Sequence, residues 1–184
     1  MARANLTRAV VTTAAAELAD REGFEAITLS ALARHFGVQT ASLYSHVRDR
    51  SALLDSVHEL ALGELADRIA VAIGGRARRD ALTALADAHR GWAALQRPAA
   101  ASTVRSDAAG RLVALTLAML RGYRLPETEL VHATRLLGAT INGFLALEVN
   151  GSFGHREPSS DVSWQRALSA LDTAFRSWPT EENH

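Results

Sequence analysis

Between residues 28 and 50 the chain reads TLSALARHFGVQTASLYSHVRDR, and its hydrogen-bonding side chains there are small, closely spaced and mostly uncharged. Thr40, Ala41, Ser42, Tyr44, Ser45 and His46 share the outward side of a short helical stretch whose Leu43 and Val47 turn inward. Hydroxyls and an imidazole at this density offer bonds to base edges and phosphates, and the small residues let backbones approach closely. That is the chemistry of a helix that enters the major groove of DNA. Catalytic constellations are absent from the sequence: there is no G-x-S-x-G elbow, no glycine-rich phosphate loop, no H-E-x-x-H and no clustered carboxylate pair. The seven histidines are scattered, and His155 and His184 fall in a predicted loop and tail. An enzyme on an all-helical scaffold is therefore the weaker reading, and no catalytic residue, metal site or cofactor is expected.

Two short helices and a turn must hold that outward face. Leu29, Leu32, Ala33 and Phe36 recur at helical spacing and face inward. Thr28 stands just before them, where its hydroxyl can cap the free N–H groups of the first turn. Gly37 follows, at a place where a positive φ is cheapest, and Val38 packs back toward the core. Gln39 or Thr40 starts the second helix.

The residues Gly37, Val38, Ser42, Leu43, Tyr44, His46, Val47, Arg50, Leu53 and Leu54 follow the pattern G-V-x-x-x-S-L-Y-x-H-[V/F]-x-x-[K/R]-x-x-L-L. Here the chain resembles the TetR family of repressors, over about its first third. The resemblance implies a recognition helix carrying Thr40, Ser42, Tyr44 and His46. Thr40 and Ser42 would bond base edges or phosphates, and Ala41 would meet a thymine methyl. Tyr44 and His46 would touch the phosphate backbone and fix register. Arg50, where the family commonly has lysine, would hold a phosphate beside the start of the long helix. Thr28 and Ser30 add candidate phosphate contacts, and Gln39 a candidate base contact. In this family a basic N-terminal arm often reaches DNA; Arg3 and Arg8 offer such an arm here, with a solvated tail as the alternative.

The chain has 184 residues, enough for one or two small domains with a real core. There is no signal-peptide pattern and no apolar run of about twenty residues, so a soluble cytoplasmic protein is the default, with no membrane partner. The absence of cysteine excludes disulfides, thiol switches and Cys-ligated zinc. The net charge of zero argues against broad electrostatic binding to nucleic acid, though not against a small localised surface. All 20 basic residues are arginine, a bias that reads as genome composition.

The rest is helical by periodicity. Thr7 caps a first helix to about residue 22, with Ala9, Val10, Ala14, Leu18 and Thr13 as inward candidates, and Gly23 stops it. A long helix at about 51–73 carries Leu53, Leu54, Val57, Leu60, Ala61, Leu65 and Ile69 inward and ends at Gly74 and Gly75. Asp80 is a candidate cap for a helix to about residue 96, with Leu82, Leu85, His89 and Trp92 on its stripe. A short helix at about 98–104 and another at 107–122 follow, the latter with Leu112, Leu115, Met119 and Leu120. The helix at about 127–149 is apolar on two faces, with Leu130, Leu137, Ile141, Phe144 and Leu145 on one and Leu136, Gly143 and Leu147 toward the other, so it must be covered twice. A partner subunit is the expected second cover. The last helix, about 163–178, carries Trp164, Leu168, Leu171, Ala174, Phe175 and Trp178. The fold class is therefore all-α with about nine helices: a helix-turn-helix domain at 1–50 and a helical domain at 51–184.

The resemblance further implies an effector cavity among the C-terminal helices and a homodimer through the last two long ones. The implied interface residues are Leu136, Gly143, Leu147, Trp164, Leu168, Leu171 and Phe175, with Gly138, Ala139 and Gly143 small enough for close approach. A two-fold dimer would read two half-sites of a palindromic operator. Candidate effector contacts are the polar or polarizable groups on apolar faces: His89, Trp92, Met119 and Asn142. For His89 the competing reading is a hydrogen-bonded core histidine, for Trp92 and Met119 plain packing, and for Asn142 and Glu148 structural satisfaction or dimer contacts. Thr140 to Phe153 (TINGFLALEVNGSF) resembles a subclass with a His-Gly motif before a Leu-x-x-Leu-Glu run, with Asn142 in place of the histidine. The functional expectation is a dimeric repressor of double-stranded operator DNA, released by a small molecule. A regulator without ligand control, or an activator, is the alternative.

Overall fold

Helices supply all the regular structure in the computed structural model, which describes residues 6–93, 106–154 and 157–179. There are eight α-helices and two 3₁₀ turns, and no strand among the described residues. In chain order they are α1 (Arg8–Glu22), α2 (Leu29–Phe36), α3 (Thr40–Leu43), α4 (Arg50–Ile73), α5 (Arg78–Ala93), α6 (Asp107–Arg121), α7 (Leu130–Val149) and α8 (Ser160–Arg176). The 3₁₀ turns are Phe24–Ala26 and Glu127–Glu129. The short helix expected at 98–104 lies outside the described residues. The chain forms two compact units, one of residues 1–64 and 95–110, the other of 65–94 and 111–184.

In the first unit α1, α2, α3 and the start of α4 enclose a core of Val11, Leu18, Ile27, Leu32, Leu43 and Leu53. Each fully buried aliphatic side chain contributes roughly 1.5–3 kcal/mol over an exposed one, so this small unit depends on every one of them. Thr7 caps α1 by accepting the Val10 N–H at 3.2 Å, as its position predicts. The inward face of α1 is shifted from the expected one: Ala9, Val10 and Thr13 are exposed, while Val11, Thr12 and Ala15 are buried beside Ala14 and Leu18. The Thr12 hydroxyl reaches the core only by donating to the Arg8 carbonyl at 2.9 Å. Helix α4 starts at Arg50 with Asp49 as its cap, the Asp49 carboxylate accepting the Ala52 N–H at 2.8 Å. Its residues to Glu64 belong to the first unit and those from Leu65 to the second.

In the second unit α8 packs on α5 and α7, and α5 also packs on α7. Helix α5 begins at Arg78, earlier than a cap at Asp80 allows; Asp80 instead lies in the first turn, where its charge favours the helix N-terminus. The stripe of α8 is spent within the chain: Trp164, Leu168, Leu171 and Phe175 are all buried. Two polar networks hold the helices. Arg90 of α5 donates to Glu148 of α7 (Nε–Oε2 2.9 Å, with a second bond from Nη2) and to Asp161 of α8 (2.7 Å), and it stacks 5.5 Å over the Trp164 ring. The Tyr123 hydroxyl donates to Asp172 at 2.7 Å, and Arg176 donates to the other Asp172 oxygen at 2.8 Å. Burial alone would raise the Asp172 carboxyl, but these two bonds hold it below the ordinary aspartate value.

Helix α7 shows the two faces its pattern predicts. Leu130, Leu137, Ile141 and Leu145 are buried, whereas Leu136, Gly143 and Leu147 are exposed. This exposed apolar side makes the stretch Glu127–Val149, at mean hydropathy 1.2, long and apolar enough to cross a membrane by length and composition. A search for an unbroken apolar string misses it, because Glu127, Glu129, Arg135 and Glu148 interrupt the run.

Candidate nucleic-acid interface

The reader is built from its caps outward. The Thr28 side-chain oxygen accepts the Ala31 N–H at 3.1 Å and so starts α2. Gly37 ends it at φ +65°, a left-handed conformation that costs a glycine little, and the Val38 N–H returns to the Ala33 carbonyl at 2.9 Å. The chain then turns through Gln39 into α3, whose Leu43 is fully buried, and Val47 follows it into the core. Those two anchors leave Gln39, Ala41, Ser42, Tyr44 and Ser45 exposed and Thr40 and His46 half-buried. Tyr44 is 57% exposed. The Ser45 hydroxyl is turned back onto the Ser42 carbonyl at 2.8 Å, which secures the end of this short helix and leaves the Ser42 hydroxyl facing out. Thr28 and Ser30 are exposed at the start of α2. Of the expected contact residues, Thr28, Ser30, Gln39, Ala41, Ser42 and Tyr44 are thus exposed, and Thr40, His46 and Arg50 are half-buried.

Arg50 has a more internal role than its motif position implies. Its Nε donates to the Ile27 carbonyl at 2.7 Å, and its Nη2 lies 3.5 Å from Glu25. The guanidinium therefore ties the start of α4 to the turn that leads into α2. Two other arginines flank the reader. Arg8 donates to the Ser56 hydroxyl at 2.8 Å, and Arg48 pairs with Asp49 at 2.9 Å while staying 81% exposed. With His46 they line a notch of about 310 Å³ that also meets Val47, Ala52 and Asp55. The bond from the Ala52 N–H, aided by Arg48, holds the Asp49 carboxyl below its ordinary value. The sequence pattern assigns Arg48 no role, although its place two residues before Arg50 marks it. Residues 1–64 carry six arginines against eight carboxylates, a net of −2. Affinity for a polyanion must then come from placed contacts and not from bulk charge.

In the second unit the four effector candidates separate. Trp92 and Met119 are buried, at 1% and 5% exposure, and His89 is half-buried one turn before Trp92 on α5. The His89 Nδ1 lies 3.0 Å from the Leu85 carbonyl, and burial pushes the ring below the ordinary histidine value against that bond. Asn142 is exposed on the outward side of α7 beside Gly143, away from any core position. The interface candidates divide as well. Leu136, Gly143 and Leu147 face outward, whereas Trp164, Leu168, Leu171 and Phe175 fill the chain's own core and have no free surface to offer a partner.

Residues 11–57 match the family model of bacterial regulatory proteins of the tetR family, and residues 76–171 match that of the tetracyclin repressor-like C-terminal domain. The chain belongs to the TetR family. An uncharacterised helix-turn-helix transcriptional regulator of Bacillus subtilis, YobS, is 30% identical over 84% of this chain and 85% of its own length. A second such regulator, from Mycobacterium tuberculosis, is 30% identical over 80% of this chain and 72% of its own. Among solved structures, ActR of Streptomyces coelicolor in complex with (S)-DNPA shares the fold at a TM-score of 0.70, with 17% identity over 95% of this chain and 98% of that one. A single-residue variant of TetR from Acinetobacter baumannii in complex with minocycline does so at 0.69, with 23% identity over 96% and 100%. The protein is accordingly a TetR-family DNA-binding regulator.

Proposed function

We propose that this regulator is a homodimeric repressor that binds a palindromic operator and is released by a small-molecule effector. In this reading residues 1–50 read DNA, and residues 51–184 bind the effector and dimerise. The observation that carries the reading is the reader surface: Leu43 and Val47 are anchored, and an uncharged row of Ala41, Ser42 and Tyr44 is left to the major groove and its phosphates. Dimerisation is supported by the apolar outward side of α7, where a Cβ added to Gly138 or Gly143 would meet nothing within 4 Å. Effector control is supported by the fold neighbours solved with (S)-DNPA and with minocycline. Helix α4 is continuous from Arg50 to Ile73, so a ligand that moves its far end would change the spacing of two reader helices and lower operator affinity.

The test is binding of the purified protein to DNA upstream of its own gene at fixed moderate salt, as wild type and as Ser42→Ala with Tyr44→Ala. Saturable binding to a two-fold site, lost in the double variant, is expected. A monomer that binds no sequence selected from genomic fragments would overturn the proposal.

A further inference from the structure

Trp92 carries an unusual group. Its side chain is 1% exposed, yet its indole N–H meets no acceptor among the described residues. The other two tryptophans each donate to a carboxylate, Trp164 to Asp87 at 2.7 Å and Trp178 to Glu129 at 2.9 Å. A buried donor without a partner is costly, and native interiors keep few of them without a use. One helical turn earlier on the same side of α5 stands His89. A carbonyl oxygen only accepts, so the 3.0 Å approach of Nδ1 to the Leu85 carbonyl places the proton on Nδ1. Burial favours the neutral ring. The His89 Nε2 then presents a lone pair. The face of α5 offers one donor and one acceptor a turn apart, without charge.

Among the described residues of the second unit only Arg90, Glu129, Glu148 and Asp172 are charged and half-buried or buried. Each is already bonded within the chain: Arg90 to Glu148, Glu129 to Trp178 and Asp172 to Tyr123 and Arg176. An ionised ligand group would find no free counter-charge among these described residues, and an unpaired buried ion is far more costly than a polar group that finds its hydrogen bonds.

Resting on the proposed effector reading, we infer that the effector is an uncharged, largely apolar molecule bearing adjacent acceptor and donor groups. Its acceptor, such as an amide or ketone carbonyl, takes the Trp92 N–H, and its donor, such as an amide N–H or a hydroxyl, meets His89 Nε2. The polar pair fixes orientation, and Met119 and the aliphatic residues of the unit supply apolar packing.

The test uses the full-length protein labelled with nitrogen-15 and follows its indole N–H resonances, with Trp92 assigned by its loss in Trp92→Phe. Trp164 and Trp178, already hydrogen-bonded, act as internal controls. The probes are benzamide, benzoate and benzamidinium, which share a shape and differ in charge and donor–acceptor pattern. Benzamide should move the Trp92 resonance saturably, with a Kd on the order of 1 mM for so small a probe, and should leave the controls in place. His89→Leu should weaken it about tenfold. If benzoate or benzamidinium moves Trp92 at lower concentration than benzamide, an effector site stands and the neutral class is wrong. If no probe moves Trp92, the inference is overturned. Operator release then judges the underlying reading separately: a fragment that frees DNA without touching Trp92 preserves the effector model and discards this chemistry. If no fragment of any charge frees DNA, the effector model falls with it.

Discussion

Around Leu43 the outward residues are Ala41, Ser42, Tyr44 and Ser45; around Ile141 they are Leu136, Ala139, Gly143 and Leu147. Both sets flank a buried leucine or isoleucine and both contain small residues that permit close approach. They differ in what they ask of a partner. The first set keeps its hydrogen-bonding groups wet until a surface of donors, acceptors and phosphates arrives, as protein–DNA contacts require. The second is mainly aliphatic, with Asn142 as a hydrogen-bonding group beside Gly143, and gains chiefly by leaving water, which suits a second apolar helix surface. A helix of either kind can be recognised by the face its own core does not use.

Reversing the chemistry of the second face should have the largest effect. Leu136→Glu with Leu147→Glu, at positions 39% and 48% exposed, should leave the fold intact and produce a monomer in sedimentation equilibrium. Operator affinity should fall by roughly a hundredfold or more, because two linked half-site contacts become independent ones. A double variant that stays dimeric would place the dimer contact elsewhere.

Next in size is the pair that holds α7 against its covered side. Arg90 keeps the Glu148 carboxyl below the ordinary glutamate value of 4.5, with burial working against it and Ser160 adding a further bond. A carboxyl with a lowered folded pKa contributes stability that is complete above its unfolded value and is lost as pH falls through the folded one. Glu148→Gln should therefore cost about 1–2 kcal/mol near neutral pH, and its deficit relative to wild type should shrink on acidification below about 4.5. Urea unfolding at neutral and acid pH measures both. A deficit unchanged by acid would mean that the glutamine loses packing and not charge.

How much of this was legible differs between the same two regions. The reader was legible because its signals are local: a capping threonine at 28, a glycine at 37 that ends a helix, and two inward residues at 43 and 47. Helix α1 misled by about one residue because AVVTTAAAELA is apolar or small on every side, so periodicity marks no face. The double-sided pattern of α7 was legible too, but not which neighbours cover it. Trp164, Leu168, Leu171 and Phe175 read equally well as a dimer seam or as core, and only tertiary packing assigns them to core. Asn142 stands exposed beside Gly143, on the side of α7 that a single sequence could not assign to a neighbour. Ties such as Arg90 to Glu148 and Tyr123 to Asp172 join residues 58 and 49 positions apart, and nothing in a single sequence pairs them.

On the polar face, Tyr44→Ala should lower operator affinity roughly tenfold through a lost phosphate contact, while leaving the melting temperature unchanged because the ring is 57% exposed. Fluorescence anisotropy against a fixed operator and a thermal melt separate the two effects. A fall in both would show that Tyr44 serves the core and would move it off the recognition surface.

Arg50 gives the smallest and most discriminating change. As a phosphate clamp alone, it could be replaced by lysine with little loss of either binding or stability, since charge is what a phosphate needs. As the strut seen here, its Nε reaches the Ile27 carbonyl at 2.7 Å, a bond whose geometry the lysine ammonium does not reproduce. The group is 41% exposed, so the bond is worth about 1 kcal/mol at most, or roughly 2–4 °C in a chain of this size. Arg50→Lys should thus lower stability by about that amount and keep most of the operator affinity, whereas Arg50→Ala should lower both. Tyr44→Ala provides the opposite pattern, affinity lost and stability kept. If Arg50→Lys melts like wild type, the strut is idle and the residue belongs with Tyr44 on the DNA-facing surface.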